Sequence, residues 1–172
     1  MKALTLLGLM MGVLVMVAAV MHKDPMTQPL ANLAPDGAQT EEAAVVAAVE
    51  RLFEAMRTND GDLAASVFHP EARLGRATED GIGFSGVDGF VERIGQPKDQ
   101  VWDEPIWDWE VQVEGRLGQM WTKYAFYLGE TFSHCGIDAI QLYRSDDAGW
   151  QITQLVDTSR QDDCWFPPGR GD

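Results

Sequence analysis

The chain has 172 residues, 45% of them hydrophobic and 23% charged, a composition typical of one globular domain and unlike that of disordered or fibrous chains. It contains 13 Lys and Arg against 27 Asp and Glu, which gives a formal net charge of −14. This balance excludes nucleic acids and anionic membrane surfaces as partners, because both require clustered basic residues.

The amino terminus has the features of an export signal. One lysine precedes an apolar run that ends at Met21, and the small residues at 17–19 fit a cleavage site for signal peptidase. We predict that residues 1–21 are a signal peptide and that the protein is exported, to the periplasm or as a secreted protein. Because the run approaches the length that spans a bilayer, an uncleaved membrane anchor is the alternative. The membrane would then be contacted only through this segment.

A linker and three helices follow this segment. Residues 22–40 hold three prolines without apolar periodicity, which indicates a flexible linker. Thr40 is a suitable N-cap, and apolar residues at helical spacing then predict helices over 41–57, 62–68 and 87–94. A loose hairpin is predicted between the second and third helices, with Leu74 and Phe84 as its inward-facing side chains.

Beyond the helices the hydrophobic period changes to that of strands. Four apolar residues alternate with polar ones and are predicted to face inward from one strand: Trp107, Trp109, Val111 and Val113. A tight turn leads into a second strand over 117–128. Hairpin pairing places four even-numbered residues of that strand on the same inner face: Met120, Thr122, Tyr124 and Phe126.

The strand predicted over 131–144 carries two ionisable residues, His134 and Asp138, on one face. A five-residue connection to the last strand, predicted over 150–158, turns this face inward, and a four-residue connection turns it outward. We favour the inward face because it also buries Leu142.

The five-residue connection implies a register for the last two strands. Leu142 then lies opposite Ile152, and Asp138 lies opposite Val156. Gln154 faces inward in this register. For Asp157 the simplest role is an ion pair with the nearby Arg160.

Cys135 and Cys164 are an even pair of cysteines in a chain predicted to reach an oxidising compartment. Two alternatives are open: a disulfide that ties the strand to the carboxyl-terminal tail, residues 161–172, or two cysteines that never meet. The sequence lacks the Cys and His spacing of a closed zinc site. We predict no metal and no cofactor.

Three segments carry a family resemblance: residues 41–74, which include the motif FHPEA, then GVDGFVERI at 86–94 and DAGWQITQLVDT at 147–158. Over residues 41–160 the sequence resembles the nuclear transport factor 2-like superfamily, which includes SnoaL-type polyketide cyclases, ketosteroid isomerases and scytalone dehydratase. It is most similar to the small proteins of that superfamily that carry a lumazine-binding label.

The resemblance implies an α+β fold, a cone-shaped barrel in which a curved antiparallel sheet wraps around three amino-terminal helices. It also implies a deep apolar pocket and, in many members, dimerisation through the outer face of the sheet. From the isomerases and dehydratases it implies a catalytic set of Asp138 as general base, His134 as its proton-sharing partner and Tyr124 as hydrogen-bond donor.

A second set of residues is predicted to bind a ligand, with aromatic walls and polar groups that orient it. This set is Trp107, Trp109, Thr122, Phe126, Gln154, Phe53 and Phe90. The leading hypothesis is an exported protein that binds a small apolar or aromatic molecule. The alternatives are an isomerase, cyclase or dehydratase that uses Asp138 and His134, a purely structural hydrogen bond between those two residues, and a homodimeric interaction module that acts through the outer sheet face.

Overall fold

The computed structural model describes residues 40–170. The predicted signal peptide, residues 1–21, and all of the predicted linker except Thr40 lie outside this range. Within it, none of the helices has the length and apolar character needed to cross a membrane.

Three helices and seven strands make up the described part of the chain. The helices are α1 (Glu41–Thr58), α2 (Gly61–Val67) and α3 (Asp88–Gly95). The strands are β1 (Phe68–Thr78), β2 (Gly81–Gly86), β3 (Trp102–Asp103), β4 (Ile106–Glu114), β5 (Leu117–Leu128), β6 (Thr131–Ser145) and β7 (Gly149–Thr158).

The ends of the first two helices follow from local side-chain chemistry. The Thr40 side chain accepts a hydrogen bond from the backbone N–H of Ala43, as predicted for an N-cap. Asn59 ends α1 in the left-handed conformation, with φ 56°. Asp60 then caps α2 by accepting from the backbone N–H of Leu63 at 2.8 Å.

The strands form one curved sheet in the order β2-β1-β7-β6-β5-β3, with β4 paired to β5. The sheet is mixed, because β1 and β7 pair in parallel while the other pairs are antiparallel. It is also open, because its two end strands do not pair with each other. The predicted α+β class and the packing of a curved sheet against three helices are confirmed. The parallel pair is the departure from the expected antiparallel sheet.

A β-bulge in β4 changes which of its tryptophans face inward. Trp107 pairs with Lys123 and Glu110 pairs with Trp121, so Asp108 and Trp109 together lie opposite a single residue of β5. Asp108 takes up the extra residue with a positive φ of 53°. The predicted alternation therefore holds for the later part of β4 and fails at Trp107.

A second bulge, in β7, corrects the predicted register of the last two strands. Leu142 lies opposite Ile152 as predicted, but Gln141 lies opposite Gln154, so Thr153 is the extra residue. Beyond the bulge the register is shifted by one residue. Asp138 consequently pairs with Asp157 instead of Val156.

Under the first half of α1 the interior is filled. Val45 and Val49 of α1 and the β6 residues Ile140 and Leu142 all have 1% or less of their surface exposed. These side chains belong to one hydrophobic cluster that joins α1 to the sheet. Towards the other end of the same sheet face, the interior opens into a cavity.

The carboxyl-terminal segment covers part of the opposite, outer face of the sheet. Cys135 and Cys164 form a disulfide, which settles the alternative that the sequence left open. A second hydrophobic cluster surrounds this bond and includes Trp107, Tyr127 and Trp165.

Candidate functional site

The cavity has a volume of about 540 Å³ and lies between the inner face of the sheet, the helices α1 and α3, and the hairpin of β1 and β2. Its wall is dominated by five aromatic side chains: Phe53, Phe84, Phe90, Trp102 and Phe126. The size and the apolar wall are typical of a site for a small organic molecule.

Three carboxyl groups from different parts of the chain line this cavity. Asp138 projects from β6, Asp157 projects from the neighbouring position of β7, and Glu104 lies between β3 and β4, just before Pro105. Asp138 is 1% exposed, and its Oδ2 atom has no hydrogen-bond partner among the described residues. An unpartnered buried carboxylate oxygen is costly and is unusual away from functional sites.

Burial controls the ionisation of two of these carboxyl groups. Burial raises the pKa of Asp138 well above its usual value, and the nearby charge of Asp157 raises it further. The pKa of Glu104 is also raised, first by burial and then by the charges of Asp138 and Asp157. Both groups therefore stay protonated over part of the pH range in which an ordinary carboxyl group is ionised.

The third carboxyl group has a counter-charge. Nε of Arg76 donates to both carboxylate oxygens of Asp157 at 3.0 Å, and Nη2 contacts Oδ2 as well. This pair replaces the predicted one between Asp157 and Arg160. Arg76 remains 54% exposed, so solvent weakens the contribution of the pair to stability.

Tyr124 lies beside the carboxyl groups, with its hydroxyl engaged. The hydroxyl donates to the backbone carbonyl of Thr158 at 2.7 Å and is 3.4 Å from Oδ2 of Asp157. Gly136 permits this geometry, because a Cβ atom at that position would lie 1.9 Å from the same carbonyl oxygen. Burial raises the pKa of Tyr124, so its phenol stays protonated.

His134 lines the cavity but does not form the predicted pair with Asp138. Its Nδ1 atom lies 3.0 Å from Oγ of Ser133, and its ring packs against the rings of Tyr124 and Phe126. Four residues of extended strand separate His134 from Asp138, a span of about 13 Å. Burial and the charge of Arg76 lower the pKa of His134, so the neutral imidazole is favoured.

The predicted ligand-binding residues divide into two groups. Phe53, Phe90 and Phe126 line the cavity. Trp107, Trp109, Thr122 and Gln154 do not. The bulge in β4 puts Trp107 in the outer cluster and leaves Trp109 42% exposed, and the bulge in β7 removes Gln154 from the inner face.

Thr122 faces inward but is fully buried, and its hydroxyl bonds to the carbonyl oxygens of Trp107 and Lys123. It holds the bulge of β4 in place and does not reach the cavity. Thr122 therefore lies on the predicted inner face but is not among the residues that line the cavity.

Sequence reasoning missed Arg76, Glu104 and Asp157 as site residues. Asp157 was missed because the bulge at Thr153 has no signal in the hydrophobic pattern. Glu104 belongs to an irregular connection, for which no periodicity gives a direction. Arg76 could have been considered, because it is an arginine within a predicted hairpin whose neighbours Leu74 and Phe84 were expected to face inward.

Comparisons with known proteins support the fold. No protein-family model matches the sequence. No curated protein sequence matches it either. Solved structures do match: an NTF2-like protein from Cytophaga hutchinsonii has a TM-score of 0.60 at 10% identity, covering 71% of this chain and 100% of its own.

Two further structures agree with this one. A protein of unknown function from Mycobacterium tuberculosis has a TM-score of 0.57 at 15% identity, covering 69% of this chain and 75% of its own. A candidate dehydratase of the NTF2-like family from Streptomyces avermitilis has a TM-score of 0.55 at 14% identity, covering 70% of this chain and 96% of its own. Together these likenesses establish the NTF2-like fold.

Proposed function

We propose that this domain binds a small, largely apolar or aromatic molecule in the cavity. The observation that carries the proposal is a cavity of about 540 Å³ with five aromatic rings in its wall and a buried carboxylate oxygen that lacks a partner among the described residues. Such a site combines an apolar body with a few polar groups for orientation, as ligand pockets generally do.

The filled half of the interior supports the same proposal. Under the first half of α1 the side chains are closely packed, so this sequence is able to fill its core. A large cavity costs stability in proportion to its volume. The cost is offset when a ligand occupies the space.

The test is a thermal-shift experiment on the full chain with a panel of steroids, flavins and aromatic polyketides. A ligand present at about 100 times its Kd should stabilise the domain by roughly 2.7 kcal/mol, equivalent to a rise in Tm of about 5–10 °C. The variant Leu155→Trp places an indole ring in the cavity wall and should weaken the response. Ala148→Trp, at an exposed turn residue outside the cavity and the outer sheet face, is the control and should keep it. If no compound raises the Tm of the unmodified chain, the proposal is wrong.

A second candidate function is acid–base catalysis of the isomerase, cyclase or dehydratase type. The observation in its favour is Asp138, a cavity carboxyl group whose pKa is raised by burial. The candidate dehydratase among the solved structures shares the fold. In this case Asp138→Asn should abolish any turnover detected with the bound compound, and unchanged turnover would remove Asp138 from the mechanism.

Two further proposals concern where the domain acts and with what. The disulfide between Cys135 and Cys164 supports action outside the cytoplasm, and the intact mass of the protein recovered from its native cells tests removal of residues 1–21.

On the outer sheet face Leu117, Trp121 and Tyr143 are exposed, which supports a homodimer through that face. Light scattering at micromolar concentration tests it, and a monomer would count against it.

A further inference from the structure

The charges that line the cavity are unequal. Its wall holds three carboxyl groups, Glu104, Asp138 and Asp157, and the guanidinium of Arg76 is bound to one of them. The other arginine in the wall, Arg93, is exposed to solvent. Among the described residues, two carboxyl groups are therefore left without a positive partner inside the cavity.

The donors around Asp138 are bound to other acceptors. The Thr122 hydroxyl bonds to main-chain oxygens, the Tyr124 hydroxyl bonds to the carbonyl of Thr158, and Arg76 bonds to Asp157. Asp138 is 1% exposed, and its Oδ2 atom is without a partner in the described part of the chain. When Asp138 is ionised, a group that completes this site must bring its own donor.

We propose that the ligand of this cavity carries a protonated amine on an apolar, aromatic body, and that the ammonium group binds at the carboxyl groups of Asp138 and Glu104. This inference rests on the proposed function, since it names the class of ligand for the same cavity. An ammonium group favours the ionised forms of Asp138 and Glu104, donates N–H hydrogen bonds to the carboxylates and balances their negative charge.

The rest of the wall suits such a ligand. The rings of Trp102 and Phe126 line the same cavity, and aromatic faces attract cations as well as apolar groups. A carboxylate ligand would instead lie beside two uncompensated carboxyl groups. A neutral alcohol could satisfy one oxygen of Asp138 but would leave the electrostatic repulsion between the carboxyl groups in place.

The proposal implies that binding depends on pH. The titratable and charged groups around Asp138 are its strand neighbour Asp157, then Glu104, Arg76 and Tyr124, and, elsewhere in the cavity wall, His134 and Arg93. A bound cation favours the ionised carboxylates, so binding releases protons from groups that are protonated in the empty cavity. Affinity for the amine should therefore rise as the pH rises above about 4, where an ordinary carboxyl group ionises, while affinity for a neutral analogue should not.

The experiment compares three ligands that share one naphthalene body: 2-naphthylmethylamine, 2-naphthalenemethanol and 2-naphthoate. Calorimetric titration of the full chain at about pH 7.5 should give a Kd for the amine at least roughly tenfold below that of the alcohol, with the carboxylate weakest. The amine titration should also release protons, seen as a heat that depends on the ionisation enthalpy of the buffer.

Variants tie the preference to the site. Asp138→Asn should remove the tenfold advantage of the amine and leave the Kd of the alcohol within about twofold. Glu104→Gln is the second variant, needed if Asp138→Asn fails to fold, and should weaken amine binding in the same direction. Asp147→Asn, at an exposed turn residue, is the matched control and should change neither affinity.

The outcomes separate this inference from the proposed function. If the alcohol or the carboxylate binds as tightly as the amine, the inference is overturned while the apolar pocket stands. If none of the three compounds binds and the thermal-shift panel is also silent, both proposals fail. An advantage of the amine that survives in both Asp138→Asn and Glu104→Gln would likewise overturn the assignment of the cation to these carboxyl groups.

Discussion

The inner face of β6 has two halves that differ in what lies opposite them. Ile140 and Leu142 pack against α1 in a filled hydrophobic core, whereas His134 and Asp138, on the same face of the same strand, line the cavity. The strand is continuous, and only the packing changes. We call the part of β6 with Ile140 and Leu142 the core half and the part with His134 and Asp138 the cavity half. The difference indicates that packed apolar side chains stabilise the core half. The cavity half depends on close backbone approach and on the ionisation of its carboxyl groups.

The largest expected effect comes from Gly136, which lies between His134 and Asp138 in the cavity half. Its substitution by alanine would place a Cβ atom 1.9 Å from the carbonyl oxygen of Thr158 and 2.7 Å from the ring of Tyr124. Because these two neighbours are held together by their own hydrogen bond, we expect Gly136→Ala to cost about 4 kcal/mol of unfolding free energy or more. Urea denaturation followed by tryptophan fluorescence measures it.

Gly86→Ala is the control for this substitution. Gly86 is also a strand residue, but a Cβ atom there would meet nothing within 4 Å. The control should change the unfolding free energy by less than about 0.5 kcal/mol. Equal effects of the two substitutions would show that the close approach at Gly136 does not govern stability.

The next effect compares two leucines on adjacent strands. Leu142 is fully buried in the core half, and Leu155 is partly exposed to the cavity. Leu142→Ala leaves a new void in a packed core and should cost about 3 kcal/mol, whereas Leu155→Ala only enlarges an existing space and should cost about 1 kcal/mol. Urea denaturation of both variants provides the comparison. Similar losses would mean that the two halves are packed alike.

The two halves also differ in how far the sequence predicts them. In the core half, helical spacing in α1 and strand alternation around Met120 and Leu142 identify the buried residues correctly, because burial there imposes a regular period. The capped start of α1 at Thr40 is predicted for a similar reason, since one side chain satisfies a specific backbone group.

The site is predicted only in part, since its geometry depends on irregularities. His134 and Asp138 were expected to face inward and do line the cavity, because the part of β6 from His134 to Asp138 alternates regularly between the irregularity at Ser133 and the residues opposite the bulge of β7. Asp157 enters the cavity only through the extra residue Thr153 on β7. A bulge shifts the register by one residue without changing the composition of the strand, so hydrophobic alternation does not reveal it.

The smallest of these effects concerns Asp138 itself and has a defined sign. Its pKa is raised in the folded state. An unfolded aspartate ionises at about pH 4, so between that pH and the higher pKa of the folded state the folded chain keeps a proton on Asp138 that the unfolded chain has lost. The contribution of Asp138 to the unfolding free energy is therefore fully present below about pH 4 and is lost as the pH rises through this window.

Asparagine resembles the protonated acid in shape and does not titrate, so Asp138→Asn should escape this loss. Without ligand, the Tm of the variant minus that of the unmodified chain should grow from about pH 4 to about pH 7 and reach a few degrees, roughly 3–6 °C. Thermal unfolding across this range measures the difference, and Asp147→Asn, at an exposed position, should show none. A difference that stays flat, or that favours aspartate at neutral pH, would show that the cavity half does not hold Asp138 in its protonated form. Adding a protonated amine should reverse the ranking at neutral pH, because the cation stabilises the carboxylate that asparagine lacks.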